Sequence, residues 1–261
     1  MAHLTVASDL SPRSERAMVR AISLAARMRA RLTVVHVVDD AMPSDLAHRV
    51  AEDAEERLAR FCAEQHGGED ASIDFEVRLG DPVEELLAEA EGADLLVAGT
   101  HRGRRFFDTV RETTVERLVM HSGTPVLIAR SPAETDYATI LAAIDGSPAA
   151  SAALAVALKI APNATVRSFY ATQTGHPDEV ERVIGAWSAV GGLPKGVKPP
   201  EVIEDSIARA MQKMVERVNP DLISLGAHSR GSVERWAIGS LTSALVREPS
   251  CDLLIARRAM A

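Results

Sequence analysis

Asp145, Gly226, Ser229, Gly239 and Ser240 are the residues whose types and spacing point most directly to chemistry. Residues 222–245 read LISLGAHSRGSVERWAIGSLTSAL. Leu222, Ile223 and Leu225 make an apolar strand that breaks at Gly226. A polar loop follows, and Gly239-Ser240 starts a helix with Thr242 in its first turn. A strand, a Gly-containing loop and a helix N-terminus in that order form an anion cradle. Free backbone N–H groups point outward there, and the helix dipole places roughly half a positive charge at the mouth. Asp145 ends another apolar strand and offers a carboxylate to a donor-bearing ligand. It is equally the residue type that turns a chain into a helix, and Ser147-Pro148 just after it reads as an N-cap and first helical position. Both roles stay open from the residues alone.

The elements that must hold these residues occur twice. ILAAIDGSP (140–148) repeats LTVASDLSP (4–12), so that Asp145 falls on Asp9 and Ser147-Pro148 on Ser11-Pro12. DLISLGAHSRG (221–231) repeats DLLVAGTHRG (94–103), and DLLIARR (252–258) repeats PVLIARS (125–131). In the first half, strand patterns at 4–7, 31–39, 73–79, 94–99 and 125–130 alternate with helical patterns. Those helices start after Ser11, near Leu46, at Gly80-Asp81-Pro82 and at Thr113. Strands alternating with helices form a parallel sheet with right-handed crossovers. The expectation is an α/β protein of two tandem doubly wound parallel-sheet domains, flavodoxin- or Rossmann-like, at 1–132 and 136–261. In such a sheet ligands sit outside the carboxyl ends of the strands, where strand order reverses, so Asp145 and the 226–240 loop should face one crevice. The second half is less regular between 173 and 200, where Gly191-Gly192, Pro194, Gly196 and Pro199-Pro200 fall. Its third strand should be short or at an edge, and the segment reads as a loop over whatever the domain holds.

The order strand–Asp–x–Ser, then strand–Gly–x–His, a nine-residue spacer, Gly–Ser and a terminal apolar strand resembles the universal stress protein family, as a tandem pair over nearly the whole chain. The resemblance implies an adenine nucleotide α-hydrolase-like sandwich. Its nucleotide-binding branch carries G-x2-G-x9-G-[ST] for ATP, with Mg²⁺ accompanying the nucleotide. Carried over, the first Gly is Gly226, the last pair is Gly239-Ser240, and Asp145 meets the adenosine end. Ala143 and Ile144 then flank the adenine through their backbone. The middle glycine falls on Ser229, whose Cβ hinders close approach of a phosphate; Gly231 stands two residues on. The first half departs further, reading Gly99, Arg102, Glu112 and Thr113 at the same positions. An acid at Glu112 would oppose phosphate, because like charges about 4 Å apart repel by roughly 1 kcal/mol in water and about 4 at an effective dielectric of 20. Arg102, Arg104, Arg105 or Arg111 would neutralise that acid within the loop. The first domain is therefore expected not to hold ATP. The implied function is a stress-response protein binding an adenine nucleotide in its second domain as a regulatory ligand. The alternative is a non-binding interaction protein acting through unknown protein partners, and a third reading is an enzyme or carrier for another small molecule.

The rest of the chain narrows the classes. A formal charge of −8 and 3% aromatic residues argue against nucleic acid, since neither a basic surface nor stacking rings are available. No apolar run approaches the roughly 20 residues of a membrane span, and the first residues lack a signal-peptide pattern, so a cytoplasmic protein is expected. Cys62 and Cys251 stand alone, without disulfide or zinc spacing. His101 and His228 have no ligand partners at metal spacing and read as loop histidines. His36, whose counterpart in the second half is Tyr170, reads as a core or interface residue. Ser11 and Ser147 look like caps rather than nucleophiles. Neither a Walker A loop nor an SGGxDS pyrophosphatase loop is present, and no general base is placed to activate water, so any ATP hydrolysis would be slow. In the resembled family the last strands pair across a dimer axis. Pairing 125–130 with 252–257 inside one chain would make an intramolecular pseudo-dimer, with monomer and homodimer both open.

Overall fold

Ser11-Pro12 and Ser147-Pro148 start the first helix of each half as their types dictate. The Ser11 hydroxyl accepts from the Ser14 N–H (3.4 Å) and the Ser147 hydroxyl from the Ala150 N–H (3.1 Å), each with proline in the first turn, where an N–H would be orphaned. The computed structural model describes residues 2–65, 72–100, 113–130, 136–173, 177–189, 194, 197–227 and 240–257. The chain divides into two units, Met1–Glu134 and Thr135–Ala261.

Unit 1 runs β1 (His3–Ser8), α1 (Pro12–Met28), β2 (Arg31–Val38), α2 (Ser44–Glu64), β3 (Ile73–Leu79), α3 (Pro82–Ala90), β4 (Leu95–Gly99), α4 (Thr114–His121) and β5 (Val126–Ala129). Its strands lie in the order β3-β2-β1-β4-β5, and every pair is parallel. Strand order reverses between β1 and β4. Unit 2 runs β6 (Thr139–Ala143), α5 (Pro148–Ile160), β7 (Thr165–Thr172), α6 (Pro177–Ala189), β8 (Glu201–Glu204), α7 (Ile207–Val218), β9 (Leu222–Gly226), α8 (Ser240–Arg247) and β10 (Asp252–Ala256). Its order β8-β7-β6-β9-β10 is the same topology, again parallel throughout, with the reversal between β6 and β9. The doubly wound α/β architecture expected from the alternating pattern is thus present in both halves.

The central strands are buried along their length: β1, β4, β5, β6, β9 and β10 expose almost nothing beyond their ends. Leu4, Leu95, Leu96, Leu127, Ile128, Ile140 and Leu141 are among the largest fully buried side chains, an aliphatic core in keeping with the scarcity of rings. The edge strand β3 alternates half-buried and exposed residues, the period-2 pattern of Ile73, Phe75 and Val77. The repeated Asp at the head of DLL and DLI has a structural use. Asp94 accepts from the His3 N–H (2.9 Å), and Asp221 accepts from the Ala138 and Thr139 N–H groups (2.9 Å each). Each carboxylate ties the start of the first strand of its unit to the start of the fourth.

In unit 2 the third strand is short, four residues, and lies at the edge, as the prolines require. The loop expected over 173–200 is corrected by α6, which fills residues 177–189. Val183 and Trp187 are buried, and Trp187 packs with Ala142, Ile144 and Leu154, joined by Leu158, Val166 and Val197. One large ring and one valine on a single face provide the apolar area that orders this helix, despite the glycines and prolines that follow it.

Candidate functional site

The crevice of unit 2 forms where β6 and β9 diverge. These strands pair in register (Ile140 with Leu222, Ala142 with Ser224), so their carboxyl ends bring Ala143, Ile144 and Asp145 beside Gly226. Asp145 turns the chain. Its Oδ1 accepts from the Ser147 N–H (2.8 Å) just before the cap of α5, and among the described residues no hydrogen bond reaches Oδ2. The two readings of this residue are therefore compatible. Gly226 is in ordinary extended backbone, and its lack of a side chain serves packing. A Cβ there would lie 2.7 Å from the Ala150 nitrogen and 3.0 Å from the Ala149 carbonyl carbon, so the N-terminal turn of α5 occupies that space. Gly99 repeats the contact in unit 1, at 2.8 Å from the Arg13 oxygen and 3.1 Å from the Ser14 nitrogen. The glycine lets the helix start close against the fourth strand.

Ile144 is buried, and its N–H donates to the Phe169 carbonyl (2.9 Å), so of its backbone groups the N–H is committed to the sheet. Ala143 is half-buried at the end of β6, paired with Phe169. Ser240 is the first residue of α8. Ser229 and Gly239 lie outside the described residues, as do His101, His228 and the cluster Arg102, Arg104, Arg105, Arg111 and Glu112.

Unit 1 differs from unit 2 at both ends of the same crevice. At the first strand, His36 is buried and its Nδ1 donates to the Ser8 carbonyl (2.8 Å). The corresponding pair in unit 2 is Ile144 and Tyr170, and Tyr170 instead donates its hydroxyl to Glu179 (2.6 Å). At the fourth helix, Thr113 caps α4 in a reciprocal box: its hydroxyl accepts from the Glu116 N–H (3.1 Å) while the Glu116 carboxylate accepts from the Thr113 N–H (2.9 Å). Glu116 is 2% exposed. A buried carboxylate thus fills the helix end that would otherwise attract an anion. The repeat places Ser243 at that position in α8. The Thr113-Thr114-Val115-Glu116 spacing is a legible capping-box signature, and attention to Glu112 alone passes over it.

Asp9 also accepts from its own turn, through Oδ1 from the Ser11 N–H (3.0 Å). Burial pushes its carboxyl up, but hydrogen bonds from the Ser11 and Ser14 hydroxyls and the Ser11 backbone outweigh that and hold it below the ordinary value. Between Asp9 and Ser11 the chain needs a left-handed residue. Leu10 takes φ 58° there, and Gly146 takes φ 72° at the matching place in unit 2. Glycine adopts that conformation without strain; leucine does so at a cost of roughly 1–2 kcal/mol.

Comparison with known proteins bears on the same elements. The family model described as the universal stress protein family matches residues 1–130 and 190–257. The chain belongs to the universal stress protein family. It does so as a tandem member, since the match falls on both halves. A putative universal stress protein of Staphylococcus aureus (strain USA300) is 37% identical over 46 residues, 18% of this chain. That stretch spans 28% of the relative's length, so the chain matches only about a quarter of that protein. Among solved structures, a universal stress protein from Archaeoglobus fulgidus superposes with a TM-score of 0.76 at 20% identity, covering 98% of both chains. A functionally unknown protein from Pseudomonas aeruginosa PAO1 gives 0.70 at 16% identity, covering 99% of this chain and 93% of its own. At these identities the likeness is one of fold. No helix among the described residues is long and apolar enough to cross a membrane.

Proposed function

We propose that this chain is a stress-response protein whose second domain, residues 136–261, binds an adenine nucleotide, ATP with Mg²⁺, as a regulatory ligand. The observation that carries the reading is the contrast between the two fourth helices. The α4 end is closed by its own Glu116, whereas α8 begins at Ser240 with Ser243 at the acid's position. An anion at a helix end gains up to about 2 kcal/mol, while one facing a carboxylate about 4 Å away loses roughly 4 at an effective dielectric of 20. Ser240 and the loop from Gly226 through Ser229 to Gly239 would hold phosphates. Asp145 Oδ2 would accept from the nucleoside end, and Ala143 and Ile144 would border the base. The space beside Gly226 is filled by α5, so this glycine supports the site by positioning β9.

Denaturing the purified protein and analysing the supernatant should release an adenine nucleotide, and titration calorimetry of nucleotide-free protein with ATP-Mg²⁺ should give one site. Asp145→Asn should weaken that binding by about tenfold, the worth of one good polar contact. Absence of released nucleotide together with no heat at millimolar ATP would remove the reading and favour a protein acting through partner contacts alone.

A further inference from the structure

The large apolar side chains that unit 1 leaves in solvent gather at one place. Among the described residues they are Met42 (40% exposed), Leu46 (46%) and Leu79 (45%). β3 is the edge strand of its sheet, and Leu79, its last residue, pairs with Val38, the last of β2. The Gly80 N–H donates to the Val38 carbonyl (3.1 Å), so both strands end level. From that end the chain turns back into α2, which packs on β3. The Met42 N–H donates to the Asp39 carbonyl (3.3 Å) and the Leu46 N–H to the Pro43 carbonyl (2.9 Å), so the turn is tight and both side chains stay at this corner. Every residue from 39 to 46 is exposed. Apolar residues scattered singly over a surface need no explanation, whereas a group of them rimmed by charge marks a contact surface. The rim here is acidic. Asp39, Asp40 and Asp45 lie in the same exposed stretch, and among the described residues no salt bridge reaches any of them. The cations that follow in sequence are spent on backbone: Arg49 Nε donates to the Asp45 carbonyl (3.2 Å) and His48 Nδ1 to the Ser44 carbonyl (2.8 Å).

We infer that this corner docks a cationic segment of a partner protein, one that carries Lys or Arg beside an apolar face. Charge selects among the occupants. An anionic membrane or a nucleic acid would be repelled by the three aspartates. A second copy of the chain would bring its own Asp39, Asp40 and Asp45 against them, and like charges in contact oppose association. A basic segment gains twice: Met42, Leu46 and Leu79 leave water, and the carboxylates steer its approach. The patch is small, so the contact is weak and transient. It stands whether or not unit 2 binds a nucleotide, because every residue it uses belongs to unit 1.

The test is amide NMR on the ¹⁵N-labelled full chain, without nucleotide, titrated separately with three synthetic peptides. One is an amphipathic Lys/Leu helix, one its Glu/Leu counterpart, and one a Lys/Ser peptide of the same charge. The Lys/Leu peptide should shift the Met42, Leu46 and Leu79 amides saturably, more weakly as salt is raised. The other two should bind there at least about tenfold more weakly. Replacing the three exposed apolar residues together (Met42→Ser, Leu46→Ser, Leu79→Ser) should weaken the Lys/Leu titration by about tenfold or more, with the fold retained by circular dichroism. Asp39→Asn, Asp40→Asn and Asp45→Asn together should weaken it and remove most of its salt dependence. No saturable shift of those amides at millimolar Lys/Leu peptide would overturn the inference. So would equal binding of the Lys/Ser or the Glu/Leu peptide, or a folded triple-serine protein that titrates like the parent. Shifts of the same amides on raising protein concentration alone would assign the corner to a second copy, and shifts with anionic lipid vesicles would assign it to a membrane; either result overturns it as well.

Discussion

Gly99 and Gly226 occupy one structural position twice, each with backbone of the following helix where a Cβ would go. Gly99→Ala and Gly226→Ala are each expected to lower stability by about 2 kcal/mol, the range of an overpacked core site whose neighbour cannot yield. Chemical denaturation of each variant measures this. Loss of ATP binding in Gly226→Ala without loss of stability would instead mean that the glycine faces the ligand. Asp9 gives a pH-dependent counterpart. Its folded carboxyl is held below the ordinary value of 3.8, so as pH falls the unfolded chain takes up the proton first. The stabilisation is complete above about pH 4 and fades as pH drops through the lower folded value. Asp9→Asn should flatten that part of the acid limb in a pH series of melting temperatures, while leaving the neutral-pH slope as it was. An acid limb unchanged by the substitution would mean that the serine hydrogen bonds do not persist in solution.

At the scale of elements, two helices of like sequence position end up with opposite electrostatics. α4 starts inside a capping box that spends its N-terminal field on Glu116. Writing the same box into α8 with Ser243→Glu should weaken ATP binding by between about fivefold and about a thousandfold through like-charge repulsion, with fold and melting temperature retained, as read by calorimetry and circular dichroism. Undiminished binding in that variant would place the phosphates away from α8. The sixth helix shows what turn chemistry alone misses. Pro194, Gly196 and the Pro199-Pro200 pair do read as loop, but α6 lies before them, and its stability comes from Trp187 meeting Ile144, Leu154 and Val166, residues far away in the chain. That contact also gives Ile144 a second duty: its side chain belongs to the core and its N–H to the Phe169 carbonyl, so its own carbonyl is the group left for the crevice.

Over the whole molecule, the duplication was the most legible fact, because each landmark recurs in the same order and each does the same mechanical work in both units. Asp94 and Asp221 tie the sheet, Ser11 and Ser147 cap, and the residues at 10 and 146 turn left-handed. Alternation of apolar runs with amphipathic stretches determined the α/β class, and the parallel order followed from the crossovers. Local signals decide such features, since caps, turns and strand periods act within a few residues. The tertiary structure alone decided which groups are spent. His36 reaches the Ser8 carbonyl across two strands, Ile144 gives its N–H to Phe169, and the void beside Gly226 is filled by α5. It also decided that unit 1, read from its acid as closed to phosphate, has an open crevice lined by residues of β1, β2, α3, β4 and α4. Whether a polar group is free, and whether a space is empty, depends on residues distant in sequence and adjacent in space. One-dimensional spacing therefore locates the crevice in both halves, and packing determines what each crevice can hold.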